Sequence, residues 1–249
     1  MLLKDKVAVI TGAASPRGIG KQIARLFASQ GAKVIILDLN ADDAKAAALE
    51  IGSEHLGLAC NVTNKEDCEN AIKIAAEKYG RIDILVNNAG ITQPIKFLDI
   101  KPENYNAVMD VSLRGMLYAS QAVVPYMQEN KSGSIINMSS VSAQRGGGIF
   151  GGSHYSAAKA GMLGLGKAMA RELGMHNIRV NAICPGLIQT DITGDKLTDE
   201  MKEEILKGIP LNRLGVTDDI AKACLFLGSE LSEYMTGCSI DVNGGMHMY

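Results

Sequence analysis

Two kinds of apolar pattern follow one another along the chain: short runs rich in β-branched residues, and longer stretches with apolar positions at helical spacing. Lys6–Thr11, KVAVIT, is of the first kind and ends at Gly12, which suits a buried parallel strand feeding a turn. Beyond the turn Ile23, Leu26 and Phe27 recur at helical spacing, and Gly31 is a natural helix-ending residue before KVIILD starts a second strand. A helix over about 41–51, with Asn40 as its cap candidate, precedes the strand LGLACNV. Cys68, Ala71, Ile72, Ala75, Ala76 and Tyr79 then trace one apolar face ahead of the strand IDILVNN. A long helix is expected from about Pro102 to Glu129, with Pro102 in its first turn and a kink at Pro125. Strand SIINMSS, a helix starting near Tyr155, strand RVNAIC, a helix opening at Thr217 and a last strand near SIDV complete the series.

Seven strands alternating with helices predict an α/β fold, a doubly wound parallel sheet with helices on both faces and a ligand outside the carboxyl ends of the strands. No repeat or linker interrupts the pattern, so one domain is expected over 1–249. The least regular stretch, Leu187–Gly208, is placed to act as a lid.

Charge removes several functions. The formal net charge is −2, with no basic block, so neither nucleic acid nor an anionic membrane is an implied partner. The N-terminal stretch lacks the pattern of a signal peptide and no apolar run is long enough to span a bilayer, so a cytoplasmic protein is expected. Cys60, Cys68, Cys184, Cys224 and Cys238 are scattered, without CxxC spacing or nearby His, and read as small core residues, with no metal site.

Two stretches carry chemistry. In the first turn, Gly12 allows a tight bend, Gly18 lets backbone approach a pyrophosphate, Gly20 permits close packing, and the following helix points its N-terminus at the anion. The second strand ends at Asp38, where a carboxylate can accept hydrogen bonds from an adenosine ribose diol. Farther on, Tyr155 and Lys159 stand at i and i+4, on one face of a helix, and an ammonium beside a phenol is expected to draw the phenol's pKa toward neutrality. Ser139 or Ser140 would lie beside them at a strand's C-terminal end.

In their order and spacing these residues resemble the short-chain dehydrogenases/reductases over nearly the whole chain. The resemblance rests on the Gly turn, Asp38, NNAG at Asn87–Gly90, Ser140, YxxxK, Asn181, Pro185–Gly186 with Thr190, and DVNGG near the C-terminus. It implies a Rossmann fold with strand order 3-2-1-4-5-6-7, a homotetramer formed through the Tyr155 helix, and reversible hydride transfer between a nicotinamide cofactor and a secondary alcohol or its ketone. In that scheme Ser140 holds the substrate oxygen, Tyr155 exchanges the proton, and Lys159 binds the nicotinamide ribose and lowers the Tyr pKa. The cofactor shell would take in Gly12, Ser15, Arg17, Gly18, Ile19 and Gly20 of the first turn. Asp38, Asn61, Val62, Asn88, Ala89 and Gly90 would continue it, and Pro185, Gly186, Ile188 and Thr190 would close it.

Departures from the family pattern sharpen these expectations. The first turn and the Ser140–Tyr155 interval are each two residues longer than usual, the second through the Gly-rich RGGGIFGG, which is expected to reshape the substrate pocket. Ser112 stands where the family usually has an Asn that holds a water linking the Lys to solvent, and it is expected to serve in the proton relay with a shorter reach. Asp38 favours NAD and Arg17 favours NADP; repulsion between a carboxylate and a 2′-phosphate decides for NAD. Few aromatics, with Thr92, Gln93, Ser142, Gln144 and His154 around the pocket, point to a small polar substrate such as a polyol, sugar or hydroxy acid. The alternatives are a 3-oxoacyl thioester reductase and, in another class, a dinucleotide-sensing protein without turnover.

Overall fold

The computed structural model describes residues 1–148, 150–191 and 197–248. Seven parallel strands form one sheet in the order β3-β2-β1-β4-β5-β6-β7. They are β1 Val7–Thr11, β2 Lys33–Asp38, β3 Leu56–Ala59, β4 Ile84–Asn87, β5 Gly133–Met138, β6 Ile178–Pro185 and β7 Ser239–Val242. The helices between them are α1 Ile19–Ser29, α2 Ala41–Ile51, α3 Lys65–Tyr79, α4 Pro102–Met109, α5 Gly115–Glu129, α6 Ser142–Arg145, α7 Ser153–Leu173, α8 Asp199–Leu206 and α9 Thr217–Gly228.

The central strands β1 and β4 are buried along their whole length because both faces are covered. Alternate residues of β1 go to opposite layers: Ala8 and Ile10 pack with Ile23, Phe27, Ile220 and Leu227 of α1 and α9. Val7 and Val9 pack with Ile72, Ala75 and Val123 of α3 and α5. Each such aliphatic side chain taken fully out of water contributes roughly 1.5–3 kcal/mol, and the strict alternation fixes register, since a one-residue slip would exchange the layers. Asn40 accepts from the amides of Asp42 and Asp43, as expected, and Asn64 caps α3 in the same way.

The chain reverses direction in the sheet between β1 and β4, and there the carboxyl ends deliver Thr11–Gly12 and Asn87–Gly90 to one crevice. One expected helix is divided. The stretch from Pro102 to Glu129 is interrupted by a π-helical turn at Asp110–Arg114, while α5 runs on through Pro125. A turn carrying an extra residue re-aims the helix beyond it, and the residue at its centre is Ser112. Of the expected lid, Leu187–Gly208, positions 192–196 lie outside the described residues, as does Ile149 of the Gly-rich loop. Among the described residues no helix is long and apolar enough to cross a membrane.

Candidate active site

Three segments meet at the carboxyl ends of β4, β5 and β6. Gly152 starts α7 without a side-chain cap, which places Tyr155 in the first helical turn and Lys159 one turn on, buried. Ser140 follows β5; its Oγ accepts from the Ser142 amide at 3.1 Å, and its side chain is near enough to the Tyr155 phenol to favour the phenolate. Lys159 Nζ donates to the Met138 carbonyl at 2.7 Å, and Ser139 Oγ donates to the Lys159 carbonyl at 2.8 Å, so the end of β5 holds both the backbone and the ammonium of this lysine. A Cβ placed on Gly90 would stand 3.2 Å from Lys159 Nζ and 3.6 Å from Ser112 Oγ. The glycine therefore leaves a gap that both groups face. Ser112 is 1 % exposed, and its Oγ finds no hydrogen-bond partner among the described residues. A buried hydroxyl without a partner carries an unmet desolvation cost, and here it adjoins an ammonium and a gap.

The electrostatics depart from expectation. Burial pushes the Tyr155 phenol above its ordinary pKa, opposed only by the Ser140 hydrogen bond. The ammonium of Lys159 is turned to the Met138 carbonyl and lies 5.7 Å from the Tyr155 ring centroid, so desolvation of a phenolate outweighs its attraction. Burial also lowers Lys159, to about 8. At neutral pH the pair is a neutral phenol beside a cation, with Tyr155 able to give a proton and Ser140 able to donate to an oxygen.

The first turn fits a dinucleotide. Gly12 has φ +62° and donates its amide to the Leu37 carbonyl at 2.7 Å; a Cβ there would fall 2.8 Å from Ala89 Cα. At Gly20 a Cβ would fall 2.8 Å from Ala13 Cα, so backbone is admitted only by the absence of side chains. NNAG buttresses this turn: Asn88 Nδ2 donates to the carbonyls of Thr11 and Gly12, and Thr11 Oγ1 accepts from the amides of Asn88 and Ala89. Gly18 begins α1 with no side-chain cap and no acidic residue in the first turn, whereas α2 and α3 carry both. The N-terminal amides beginning at Ile19 are thus left to an anion. Asp38 accepts from the Ala14 and Leu39 amides, each at 2.8 Å, and a carboxylate has lone pairs remaining for a diol.

Other expected residues have different occupations. Asn61 accepts from the Thr63 amide and hydroxyl, beside the buried Val62. Asn87 bridges to Ser120 and Asn137, and Asn181 pins the backbone of Met235 and Cys238, which makes both braces of the sheet. Gly186 donates to the Val242 carbonyl and leaves no room for a side chain against Asn243. Ile188 is buried in the α1–α9 layer, two residues before Thr190. Gln144 Nε2 donates to Asp241 Oδ1 at 2.7 Å, and Ser142 Oγ donates to the Gly147 carbonyl, so these two tie α6 to β7 and to the Gly-rich loop. His154 is buried with Nε2 3.4 Å from Gln93 Oε1, and Thr92 donates to the Phe150 carbonyl. Among the cysteines, Cys238 is exposed rather than core, and Cys60 and Cys68, far from scattered, have their sulfurs 3.9 Å apart.

Sequence reasoning missed Asp191. Its carboxylate accepts from Ser15 Oγ at 2.5 Å, the Arg17 amide at 3.1 Å and Arg17 Nε at 2.5 Å. Nothing local marks it, because its partners lie on the other side of the chain. A cavity of about 520 Å³ lies beside β7, lined by Gly186, Ile188, Arg213, Asp241 and Asn243 among others. Its lining lacks Ser140, Tyr155 and Lys159, and the site is located by its chemistry rather than by that hollow.

A Gly-cradled helix N-terminus at the strand reversal, with a Ser–Tyr–Lys cluster across the crevice, defines a Rossmann-type oxidoreductase. The chain belongs to the short-chain dehydrogenase/reductase family. A family model described as enoyl-(acyl carrier protein) reductase matches residues 12–247. An uncharacterized short-chain type dehydrogenase/reductase of Sinorhizobium fredii is 59 % identical, with 99 % of each chain covered. A 3-oxoacyl-[acyl-carrier-protein] reductase of Thermotoga maritima is 43 % identical, again over 99 % of each chain, and one of Vibrio cholerae 42 % over 100 % of each. The solved structure of a Brucella melitensis protein titled a short-chain dehydrogenase/reductase, glucose/ribitol dehydrogenase, superposes with a TM-score of 0.90 at 32 % identity, covering 100 % of this chain and 99 % of that one.

Proposed function

We propose that this oxidoreductase, as one domain over 1–249, interconverts a small polar secondary alcohol and its ketone with NAD. The observation that carries the reading is the convergence of Ser140, Tyr155 and Lys159 on one point of the crevice, across from an uncapped helix N-terminus and Asp38. Bound nicotinamide dinucleotide supplies or accepts the hydride. Gly12, Gly18, Ile19 and Gly20 cradle its pyrophosphate, Asp38 takes the adenosine ribose diol, and Asn61 and Val62 flank the adenine. Asn88 to Gly90, Lys159, Pro185, Gly186, Ile188 and Thr190 line the nicotinamide end. Ser140 donates to the substrate oxygen and Tyr155 gives it a proton or takes one from it. Lys159 keeps a positive charge beside the phenol, and Ser112 with a water in the Gly90 gap links that lysine to solvent. Gln93 and His154 form the polar side of the substrate pocket.

The protein works in the cytoplasm as a homotetramer; α7 is apolar or small nearly all round, Leu163, Leu165 and Met169 on it are half-buried in one chain, and a second copy covers what this chain leaves open. The names of the Thermotoga and Vibrio relatives favour a second reading, reduction of a 3-oxoacyl thioester. Nicotinamide absorbance followed with polyols, hydroxy acids, their ketones and a 3-oxoacyl thioester tests both. A kcat/KM at least about tenfold higher for a polyol or hydroxy acid is expected, and a preference for the thioester would establish the second reading. Dinucleotide binding with no turnover of any of them would leave a sensor. Steady-state kinetics with NAD and NADP should give a preference for NAD of about tenfold that Asp38→Ala narrows.

A further inference from the structure

The loop from Ala14 to Arg17 is held from both sides by carboxylates. On one side Asp38 Oδ2 accepts from the Ala14 amide at 2.8 Å. On the other, Asp191, carried by the segment after β6, accepts from a hydroxyl, a backbone amide and a guanidinium: Ser15 Oγ and the Arg17 amide on Oδ2, and Arg17 Nε on Oδ1. This is a donor set that phosphate oxygens take. Asp191 stays anionic at any working pH, since the Ser15 hydrogen bond first and Arg17 next hold its carboxyl down to about 2. The pair is not a buried brace, with Arg17 69 % and Asp191 36 % exposed at the side chain.

We infer that Asp191 is a determinant of cofactor choice, holding Ser15 and Arg17 in a carboxylate complex that a 2′-phosphate would have to break. The inference rests on the reading of this crevice as a nicotinamide dinucleotide site. On that reading the 2′-oxygen of the adenosine ribose is held by Asp38, which grips the loop at the Ala14 amide. A free hydroxyl there needs only Asp38. A 2′-phosphate needs a cation, and the Asp191 carboxylate on Arg17 Nε and the Arg17 amide competes with it for that cation, so the cost of loosening the pair falls on NADPH and not on NADH. Loosening one exposed ion pair and a hydrogen bond to a charged group sets the discrimination on the order of five- to tenfold.

The test is equilibrium binding of NADH and NADPH, read by nicotinamide fluorescence, to the unaltered protein, Asp191→Asn, Arg17→Ala and the double variant. Asn retains an acceptor for Ser15 and removes the charge. Asp191→Asn should tighten NADPH about five- to tenfold while NADH changes by less than about twofold, and in the Arg17→Ala background the same substitution should leave the NADPH/NADH ratio within about twofold. An unchanged ratio in Asp191→Asn, equal weakening of both cofactors, or an effect that survives loss of Arg17 would overturn the assignment while leaving the dinucleotide site in place. Failure of the unaltered protein to bind either dinucleotide would overturn the site and the assignment together.

Discussion

Two Gly-rich loops flank the crevice, and their glycines answer different needs. In the loop after β1, a Cβ on Gly12 would come 2.8 Å from Ala89 Cα, and one on Gly20 would come 2.6 Å from Asn88 Nδ2. That loop is pressed against NNAG and held by Asp38 and Asp191. In the first half of the loop before α7, Gly146, Gly147 and Gly148 have φ of +74°, +48° and +151°, yet a Cβ would meet nothing nearer than 3.9 Å, whereas at Gly151 and Gly152, where the loop joins α7, a Cβ would fall 2.6 Å from the Tyr155 ring and 2.8 Å from the Ile95 carbonyl. Over Gly146–Gly148 glycine supplies backbone conformation in open space. Where glycine admits a close approach the loop is a fixed mould, and where it only permits a turn the loop can change length without disturbing its neighbours. On the proposed function the first loop would meet the cofactor and the second the substrate.

Between the loops stands Tyr155, and the largest effect is expected there. Tyr155→Phe should lower turnover on the order of 10²–10⁴-fold with cofactor affinity largely kept, because the phenol's proton goes and both loops remain. Single-turnover rates and NADH binding read the two effects separately. Loss of cofactor affinity on the same scale would mean that the centre belongs to the first loop.

Lys159 gives the next effect. Its folded pKa of about 8 lies below the ordinary 10.5, so the charged form is disfavoured by burial. Below pH 8 both folded and unfolded chains hold the proton and the cost of the buried charge is fully present. Between about 8 and 10.5 the unfolded chain binds more protons, and stability from this group rises with pH. At ~1.4 kcal/mol per pH unit the window is worth about 3 kcal/mol. The unfolding free energy of the unaltered protein minus that of Lys159→Met should therefore rise across that window in urea titrations. A flat difference would mean that the lysine is well solvated.

A matched pair of substitutions then measures the two loops directly. Gly12 and Gly147 both have left-handed φ, so an alanine at either meets a comparable backbone penalty of roughly 1–2 kcal/mol. Only Gly12→Ala also drives a methyl into Ala89, an overpacking cost of about 1–3 kcal/mol more. Gly12→Ala should be the more destabilising by that margin and should weaken NADH binding. Equal unfolding midpoints at equal m-values would erase the distinction between the loops.

The fold was legible because both of its signals are local. Burial of the central strands on two faces writes continuous apolar runs such as KVAVIT, and the helix faces repeat at helical spacing. Asn40 was legible as a cap for the same reason. What escaped depends on contacts remote in sequence. The separation of α4 from α5 at Ser112 comes with packing of that turn near Gly90 and against Gly161 of α7, while α5 runs unbroken through Pro125. The order of Ser140, Tyr155 and Lys159 predicted their meeting, but whether the ammonium would govern the phenol depended on the Met138 carbonyl that captures it. Asp191 and the Cys60–Cys68 contact carried no periodicity or motif at all.

The smallest expected effect bears most on substrate choice. Among the described residues the Gly-rich loop is tied by the Gly147 amide to Ser156 Oγ, the Gly147 carbonyl to Ser142 Oγ, the Phe150 carbonyl to Thr92, and the Gly152 amide to the Gln93 carbonyl. These partners lie on α6, on α7 and just beyond NNAG, around Ser140 and Tyr155, and none belongs to the turn after β1. Removing two residues between Gly146 and Phe150 shortens an open span, and closing a loop of slightly different length alters its entropy by only tenths of a kcal/mol. What changes is where Phe150 and the Thr92–Gln93 wall stand relative to the Ser140 hydroxyl. The ratio of kcat/KM between a small polyol and a bulkier ketone should shift on the order of tenfold, while the dissociation constant for NADH moves by less than about twofold. The reverse result, cofactor affinity shifting with the substrate ratio unchanged, would place this loop with the first one and end the division between them.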